Sequence, residues 1–431
     1  MSSATRILLA LAAGTIIGLL LSWFDTALAL RVADVVQPIG KLWLNALQMT
    51  VVPLVFALVV VGVTTASDAA TSGRTARRSI VVFLVLLSAA AAFTALVAPL
   101  ALSLVDRDPA LTEALRSAAG EATLPAPTGW ADALTAIIPS NAVMAAAQSA
   151  MLPLVVFALF FGFALTRIEA ARRTQMIGFF QSLADAMIVI VHWVLWVAPI
   201  GVFALILAVC ARAGLSMVSA LGLYILLECA IYLTVTVLLL FVAMLWGGEN
   251  IRRFAAAIVP AQVVAASTQS SLASLPAMLE VADRRLAYPR QVASLTLPMA
   301  VSLFRITSPI QYIASACFIA WAYGIDLTTA QLAAGAMLAV VVSLGSVGLP
   351  GQVSFMATNM PVTQAMGLPV APLGLLLAVD TIPDIFATVG NVTADLTATS
   401  VVVRQSAADA GPPATNAGPD RSCENHGLLP P

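Results

Sequence analysis

The sequence predicts an all-α membrane protein with eight transmembrane helices and two re-entrant helical hairpins. Three observations carry that prediction. Of 431 residues, 61% are hydrophobic and 10% charged, with a mean hydropathy of +0.99, whereas soluble domains are about 25% charged. Apolar runs of membrane-crossing length recur along most of the chain, and a helix satisfies its own backbone groups in lipid. Beyond residue 250, two apolar stretches broken by Ser, Gly and Pro stand in matching positions.

The first run, 7–24, follows Arg6 and precedes Ala27-Leu28-Ala29. That order resembles a secretory signal peptide, but the run is long enough to span and many spans follow, so it reads as the first membrane helix. Further clear spans are 43–66, 79–104, 150–166, 176–210 and 216–246. The later stretches, 254–280, 291–322, 331–365 and 370–403, are interrupted by small and polar residues. The segment 404–431 is rich in Pro, Gly and Ala without periodicity and reads as a disordered cytoplasmic tail. The chain therefore divides into six N-terminal spans, 1–253, an interrupted core, 254–403, and the tail.

Loop charge sets the orientation. Arg74, Arg77 and Arg78, then Arg167, Arg172 and Arg173, then Arg252 and Arg253 follow the second, fourth and sixth spans. The loop after the third span is acidic, with Asp106, Asp108, Glu113, Glu121 and Asp132. Arginine-rich loops stay cytoplasmic, which puts both termini inside and, in a bacterial cell, the protein in the inner membrane. An even number of crossings follows, most simply eight, so two interrupted stretches do not cross. The matched pair is 254–280, with Ser271-Leu272-Ala273-Ser274-Leu275-Pro276, and 331–365, with Ser343-Leu344-Gly345-Ser346-Val347-Gly348-Leu349-Pro350. Each precedes a long helix with buried polar residues, which makes an internal repeat. Such interrupted pairs mark the binding region of transporters.

The stretch 370–403 carries the strongest chemical signal. At about 100° per residue, Asp380, Asp384, Thr388, Asn391 and Asp395 fall within an arc of about 80°. A carboxylate at membrane depth costs roughly 2.5–3.5 kcal/mol on insertion scales, so three on one stripe require partners. Oxygen ligands suit an alkali cation, and a carboxylate suits a substrate ammonium group. Arg305, mid-span before Pro309, is the counter-charge: either a structural ion pair with Asp384 or Asp395, or a charge that serves a transport cycle. Pro309 frees a carbonyl four residues back, which predicts local unwinding. Asp185, His192 and Glu228 read as helix-packing or interfacial residues. Cys210, Cys229 and Cys317 read as small buried hydrophobes.

The net charge of −1 carries no message about nucleic acid, and no nucleic-acid partner is expected. Proteolysis by paired aspartates needs the two on facing helices across water, and here they are neighbours on one. A non-transporting sensor or channel stays open as the alternative to a carrier, and solute flux separates the two.

The residues resemble the dicarboxylate/amino acid:cation symporter family of glutamate and aspartate transporters, over about residues 6–404. Asp384-Ile385-Phe386-Ala387-Thr388-Val389-Gly390-Asn391-Val392-Thr393-Ala394-Asp395-Leu396-Thr397 looks like that family's final-helix signature. Gly348-Leu349-Pro350-Gly351 and Thr268-Gln269-Ser270-Ser271 resemble its two hairpin tips, and Ala198-Pro199-Ile200-Gly201-Val202-Phe203-Ala204-Leu205 its fifth span. The resemblance implies inverted repeats, a homotrimer in the lipid bilayer, and a core that moves like an elevator against a scaffold. It implies a small amino acid or dicarboxylate as substrate, no resident cofactor, and sodium or protons as coupling ions. Asp384 would hold the substrate's amino group, with Thr388, Asn391, Ser308, Ser271 and the backbone around Leu349 as further contacts. Asp395 would ligate sodium with the carbonyls of Asn391 and Ser302.

The departures concern charge. Ala387 stands where acidic-substrate members carry a clamping arginine. The family's Asn-Met-Asp-Gly-Thr reads Phe304-Arg305-Ile306-Thr307-Ser308, so a sodium-ligating aspartate has become Ile306. Its supporting Tyr, Thr and Ser read Phe83, Leu86 and Leu87. Two expectations follow: Arg305 replaces a bound sodium ion or clamps the substrate, and acidic substrates bind poorly unless it does the latter.

Overall fold

A computed structural model of the chain describes residues 3–71, 73–107, 109, 112, 138–345 and 351–410. Among them there are helices and no strand. Six helical stretches are long and apolar enough to cross a membrane and four shorter apolar helices accompany them. The first is α1 (Ser3–Phe24), followed by α2 (Thr26–Thr71) and α3 (Arg74–Ser103). Next come the short α4 (Ala142–Ala147), α5 (Met151–Leu165), α6 (Ala170–Trp196) and α7 (Ala198–Ala213). The expected single span 176–210 is thus two helices. Pro199 lies in the first turn of α7, where its missing N–H costs nothing, and the chain turns at Val197 before it.

After α8 (Leu215–Leu245), every element is interrupted. α9 (Ile251–Thr268) and α10 (Ser271–Glu280) form the first hairpin, turned by Gln269 in the left-handed region (φ 51°). Ser270 caps α10 by accepting the Ala273 N–H at 3.2 Å. α11 (Arg290–Leu303) and α12 (Thr307–Tyr323) are one span broken at Phe304, whose backbone is extended. α13 (Thr329–Gly345) and α14 (Gly351–Ala365) pack together as the second hairpin; its tip, with Leu349, lies outside the described residues. α15 (Leu373–Val379) leads through Asp380 into α16 (Thr381–Ala410).

The last helix therefore continues past residue 404, into the segment read as tail. Two arginine contacts hold this end: Arg404 donates to the carbonyls of Leu245 and Trp246, and Arg78 donates to that of Gln405 at 2.9 Å.

Two groups of helices differ in what surrounds them. α1 and α2 pack on α7, and a Cβ added at Gly14 or Gly18 of α1 would collide with Ile206 or Cys210, so small residues set that approach. In α6 only 22% of the most apolar window is buried, as befits a lipid-facing helix. The corresponding share is 89% for α11–α12 and 83% for α16. Helices that carry charge are wrapped in protein, as lipid requires.

Candidate functional site

The break in α11–α12 organises the site. Pro309 sits in the first turn of α12, and the carbonyl it frees belongs to Arg305. That oxygen accepts the Ser308 N–H at 3.0 Å and the hydroxyl of Ser343, from the second hairpin, at 3.2 Å. The first N–H of α12, that of Thr307, donates to Asn391 Oδ1 at 3.1 Å. Gly390 permits this approach, because a Cβ there would meet Thr307 Cγ2 at 2.9 Å. One turn of α16 thus caps a broken helix at membrane depth and satisfies backbone that lipid could not.

A small cavity opens at this junction. Arg305, Ser308 and Gln311 line it from one side, Asp380, Asp384 and Ala387 from the other, and Tyr232 of α8 closes it. Its free volume is about 10 Å³, the room of roughly one water, so a molecule of amino-acid size does not fit it in this conformation. Gln311 Nε2 donates to Asp380 Oδ1 at 2.7 Å. Arg305 is half-buried, and its charge acts on Asp380, Asp384 and Asp395 alike. Thr388 is buried and returns its hydroxyl to the Asp384 carbonyl at 2.8 Å. From the first hairpin, Gln269 Nε2 reaches the Thr381 carbonyl at 3.3 Å, which sets the tip and Ser271, half-buried, beside the start of α16.

Asp395 is different from its neighbours. It is fully buried, and neither carboxylate oxygen has a hydrogen-bond partner among the described residues. Asn391 is buried one turn before it. The Ser302 side chain points outward and is exposed, so a contribution from that residue would come from its backbone.

On the opposite side of the broken helix the chemistry is apolar. The rings of Phe83 and Phe304 stack at 4.8 Å with planes 8° apart, both fully buried. Leu86, Leu87 and Ile306 are buried around them. α3 is held beside α11 there by a Ser79–Thr296 hydroxyl contact of 3.2 Å.

The structure thus brings together Arg305, Ser308 and Asp384 in one cavity, joins Asn391 to the helix break, and leaves Leu349 undescribed. It adds Gln311 and Tyr232, which the sequence reading passed over, and gives contacts to Gln269, quoted there only within a hairpin-tip motif, and above all to Glu228. Read from sequence as a packing or interfacial residue, Glu228 is fully buried in a hydroxyl network behind the cavity. Its signal was present as Tyr224, Glu228 and Tyr232, spaced by four on one face of α8. Asp185 and His192, by contrast, are exposed on α6.

A helical membrane protein with broken helices closing around buried charge is the architecture of a secondary transporter, not of an enzyme. The chain belongs to the sodium:dicarboxylate symporter family, whose model matches residues 4–405. It is 29% identical over 416 residues to the proton/glutamate-aspartate symporter of Escherichia coli (strain K12), covering 94% of this chain and 92% of that one. It is 30% identical over 425 residues to the neutral amino acid transporter B(0) of Oryctolagus cuniculus, covering 90% and 77%. It is 27% identical over 376 residues to the C4-dicarboxylate transport protein 2 of Polaromonas naphthalenivorans (strain CJ2), covering 85% and 81%.

The family name implies sodium, and the two positions that could hold it differ in fit. Asp395 fits a cation, because its orphaned carboxylate oxygens are hard donors with nothing else to bind. The Phe83, Phe304 and Ile306 position does not, because it offers no side-chain oxygen.

Proposed function

We propose that this protein carries a small amino acid or a dicarboxylate across the membrane by an elevator-type alternating-access movement, cation-coupled with reduced or altered sodium dependence. The observation that carries the ionic half of this proposal is the Phe83–Phe304 stack, where no cation can bind, beside the cavity that Arg305 shares with Asp380 and Asp384. Asp384 takes the substrate's ammonium group. Thr388, Asn391, Ser308 and Ser271 contact its polar atoms, with the backbone around Leu349 as a further contact. Asp395, with carbonyls of Asn391 and Ser302, holds the remaining coupling cation. Arg305 supplies a fixed positive charge in place of the lost one.

The relatives' names span acidic amino acids, neutral amino acids and C4-dicarboxylates. Ala387 favours the neutral class, because it cannot pair with a distal carboxylate. The protein works as a homotrimer in the inner membrane with both termini cytoplasmic. Residues 1–253 form the scaffold and part of the moving domain, 254–403 the substrate and ion core, and the C-terminal tail takes no part.

Uptake by reconstituted vesicles in sodium against choline medium tests the ionic half, and a steep, multi-ion sodium dependence overturns it. A competition panel of neutral amino acids, acidic amino acids and simple dicarboxylates tests the substrate half. Solute accumulation separates the carrier from a sensor on the same fold, which binds without accumulating.

A further inference from the structure

Glu228 has no part in the transport scheme above, yet its surroundings are those of a working group. It lies near the middle of α8, fully buried. Its Oε1 accepts the Ser315 hydroxyl at 3.1 Å and its Oε2 the Tyr232 hydroxyl at 2.9 Å. The Tyr224 hydroxyl stands 3.1 Å from that of Ser315. All of these partners are hydroxyls, and a hydroxyl can donate or accept. The network therefore stays satisfied with Glu228 as a carboxylate or as a neutral acid, whereas a guanidinium or amide donor would hold it ionised. Tyr232 links it to the cavity, lining the wall with Asp380 while its hydroxyl sits on Glu228.

The charge count points the same way. Tyr232, bonded to Glu228, lines the cavity together with Asp380, Asp384 and Arg305. Three carboxylates thus stand against one guanidinium at membrane depth, where uncompensated charge is expensive. Among the described residues, no arginine or lysine bonds Glu228, and Arg404 of α16 sits at the far end of α8, on the Leu245 and Trp246 carbonyls. Tyr224, Tyr232 and Cys229 adjoin it on α8 itself, and α12 presents Ser315 flanked by Tyr312 and Cys317. The α15–α16 junction presents Asp380, with Asp384 behind it and Asp395 about three turns further along. The arginines of α3, α7 and α9 (Arg74, Arg77, Arg78, Arg212, Arg252 and Arg253) lie in the end turns of those helices.

We propose that Glu228, joined through Tyr232 to the cavity that Asp380 lines, is a proton-binding site that couples transport to the proton gradient. One proton from the outer solution binds the Glu228 carboxylate as substrate binds, and leaves to the inner solution with it. Each cycle then moves one proton and one substrate, with Tyr232 as the link between carboxylate and cavity. This inference rests on the carrier assignment, and the test below separates the two.

The purified protein is reconstituted in liposomes with the membrane potential clamped, and labelled L-serine, L-glutamate and succinate serve as probes. With one proton per substrate, a one-unit pH gradient, acid outside, supports about tenfold accumulation, and a trapped pH dye reports lumen acidification when substrate is added. Glu228→Gln, a stand-in for the neutral acid, should lose both accumulation and the dye signal while a measurable exchange of preloaded substrate remains. Accumulation by Glu228→Gln equal to wild type overturns the inference, and so does wild-type uptake that moves no protons. Should Glu228→Gln fail to fold, Glu228→Asp decides: a shifted pH midpoint for proton uptake on substrate binding, read by calorimetry in two buffers, supports the site, and an unchanged midpoint overturns it. If the wild type exchanges none of the three probes in any medium, the carrier assignment itself fails, and this inference with it.

Discussion

Two places flank the same broken helix and have opposite chemistry. At Asp395 a fully buried carboxyl group keeps both oxygens without a hydrogen-bond partner among the described residues, an arrangement that is costly for a bare charge and that a bound cation would relieve. At Phe83 and Ile306 the side chains offer no oxygen, and a stacked aromatic pair fills the space. Neither half of a cation site is useful alone, so loss on both α3 and the helix break is coherent. The difference teaches that the oxygen-bearing and apolar surroundings of the break are set locally, so that on the proposed reading one cation position is absent while the other stays intact. Arg305, in the break, lines the cavity with Asp380 and Asp384, and on the proposed reading its charge stands in for a bound cation.

The largest effect should follow Asp395→Asn. Coupled uptake should fall to the background of protein-free vesicles, while the folded protein survives, because the change removes a buried charge and keeps the shape. Melting curves in sodium and in choline provide the control. A ligand that binds only the folded state raises its stability by mass action, so wild type should shift with its coupling cation and Asp395→Asn should not. Equal shifts in both proteins would mean that the orphaned oxygens hold no cation.

Phe83→Ala probes the other side. It should cost about 3–5 kcal/mol of stability, the usual loss on truncating a buried aromatic ring, and leave the sodium response as it was. A changed sodium response would show that the stack still borders a cation. Rebuilding the site gives a complementary result. Ile306→Asp alone buries an acid and destabilises. Combined with Phe304→Asn, Arg305→Met, Phe83→Tyr, Leu86→Thr and Leu87→Ser, it should create a sodium-dependent stabilisation of about 2.7 kcal/mol at a hundredfold excess over Kd.

Much of this site was legible in the sequence because its determinants are local. The polar arc on α16 follows from spacing alone, Pro309 foretold the break, and Ser, Gly and Pro runs announced the hairpins. What stayed hidden depends on contacts between distant segments. Phe83 and Phe304 meet across most of the chain, and the Arg305 carbonyl finds its second donor in Ser343 of another hairpin. Glu228 read as a helix-packing or interfacial residue, and it does pack between helices, but nothing near it in sequence reveals its Ser315 partner. The turn at Val197 was hidden differently, since Pro199 in an apolar run reads equally as a kink or as the first turn of a new helix.

The smallest of these effects, and the most informative about Arg305, concerns Ala387→Arg. A guanidinium at this position can meet a distal carboxylate with two hydrogen bonds, and bonds to charged groups contribute about 1.5–3 kcal/mol. The gain for L-glutamate or succinate should nevertheless stay near tenfold, about 1.4 kcal/mol. Arg305 lines the same small cavity, so the new cation meets a like charge, and Asp380 and Asp384 compete with the substrate for it. Competition binding of L-glutamate against L-serine measures this directly. If Ala387→Arg leaves acidic-substrate affinity unchanged, the clamp argument is wrong. If Arg305→Ala added to Ala387→Arg raises that affinity further, Arg305 acts as a fixed charge that the new guanidinium opposes. If it lowers affinity instead, Arg305 was already holding the distal carboxylate, and its place in the cavity belongs to the substrate rather than to the missing cation.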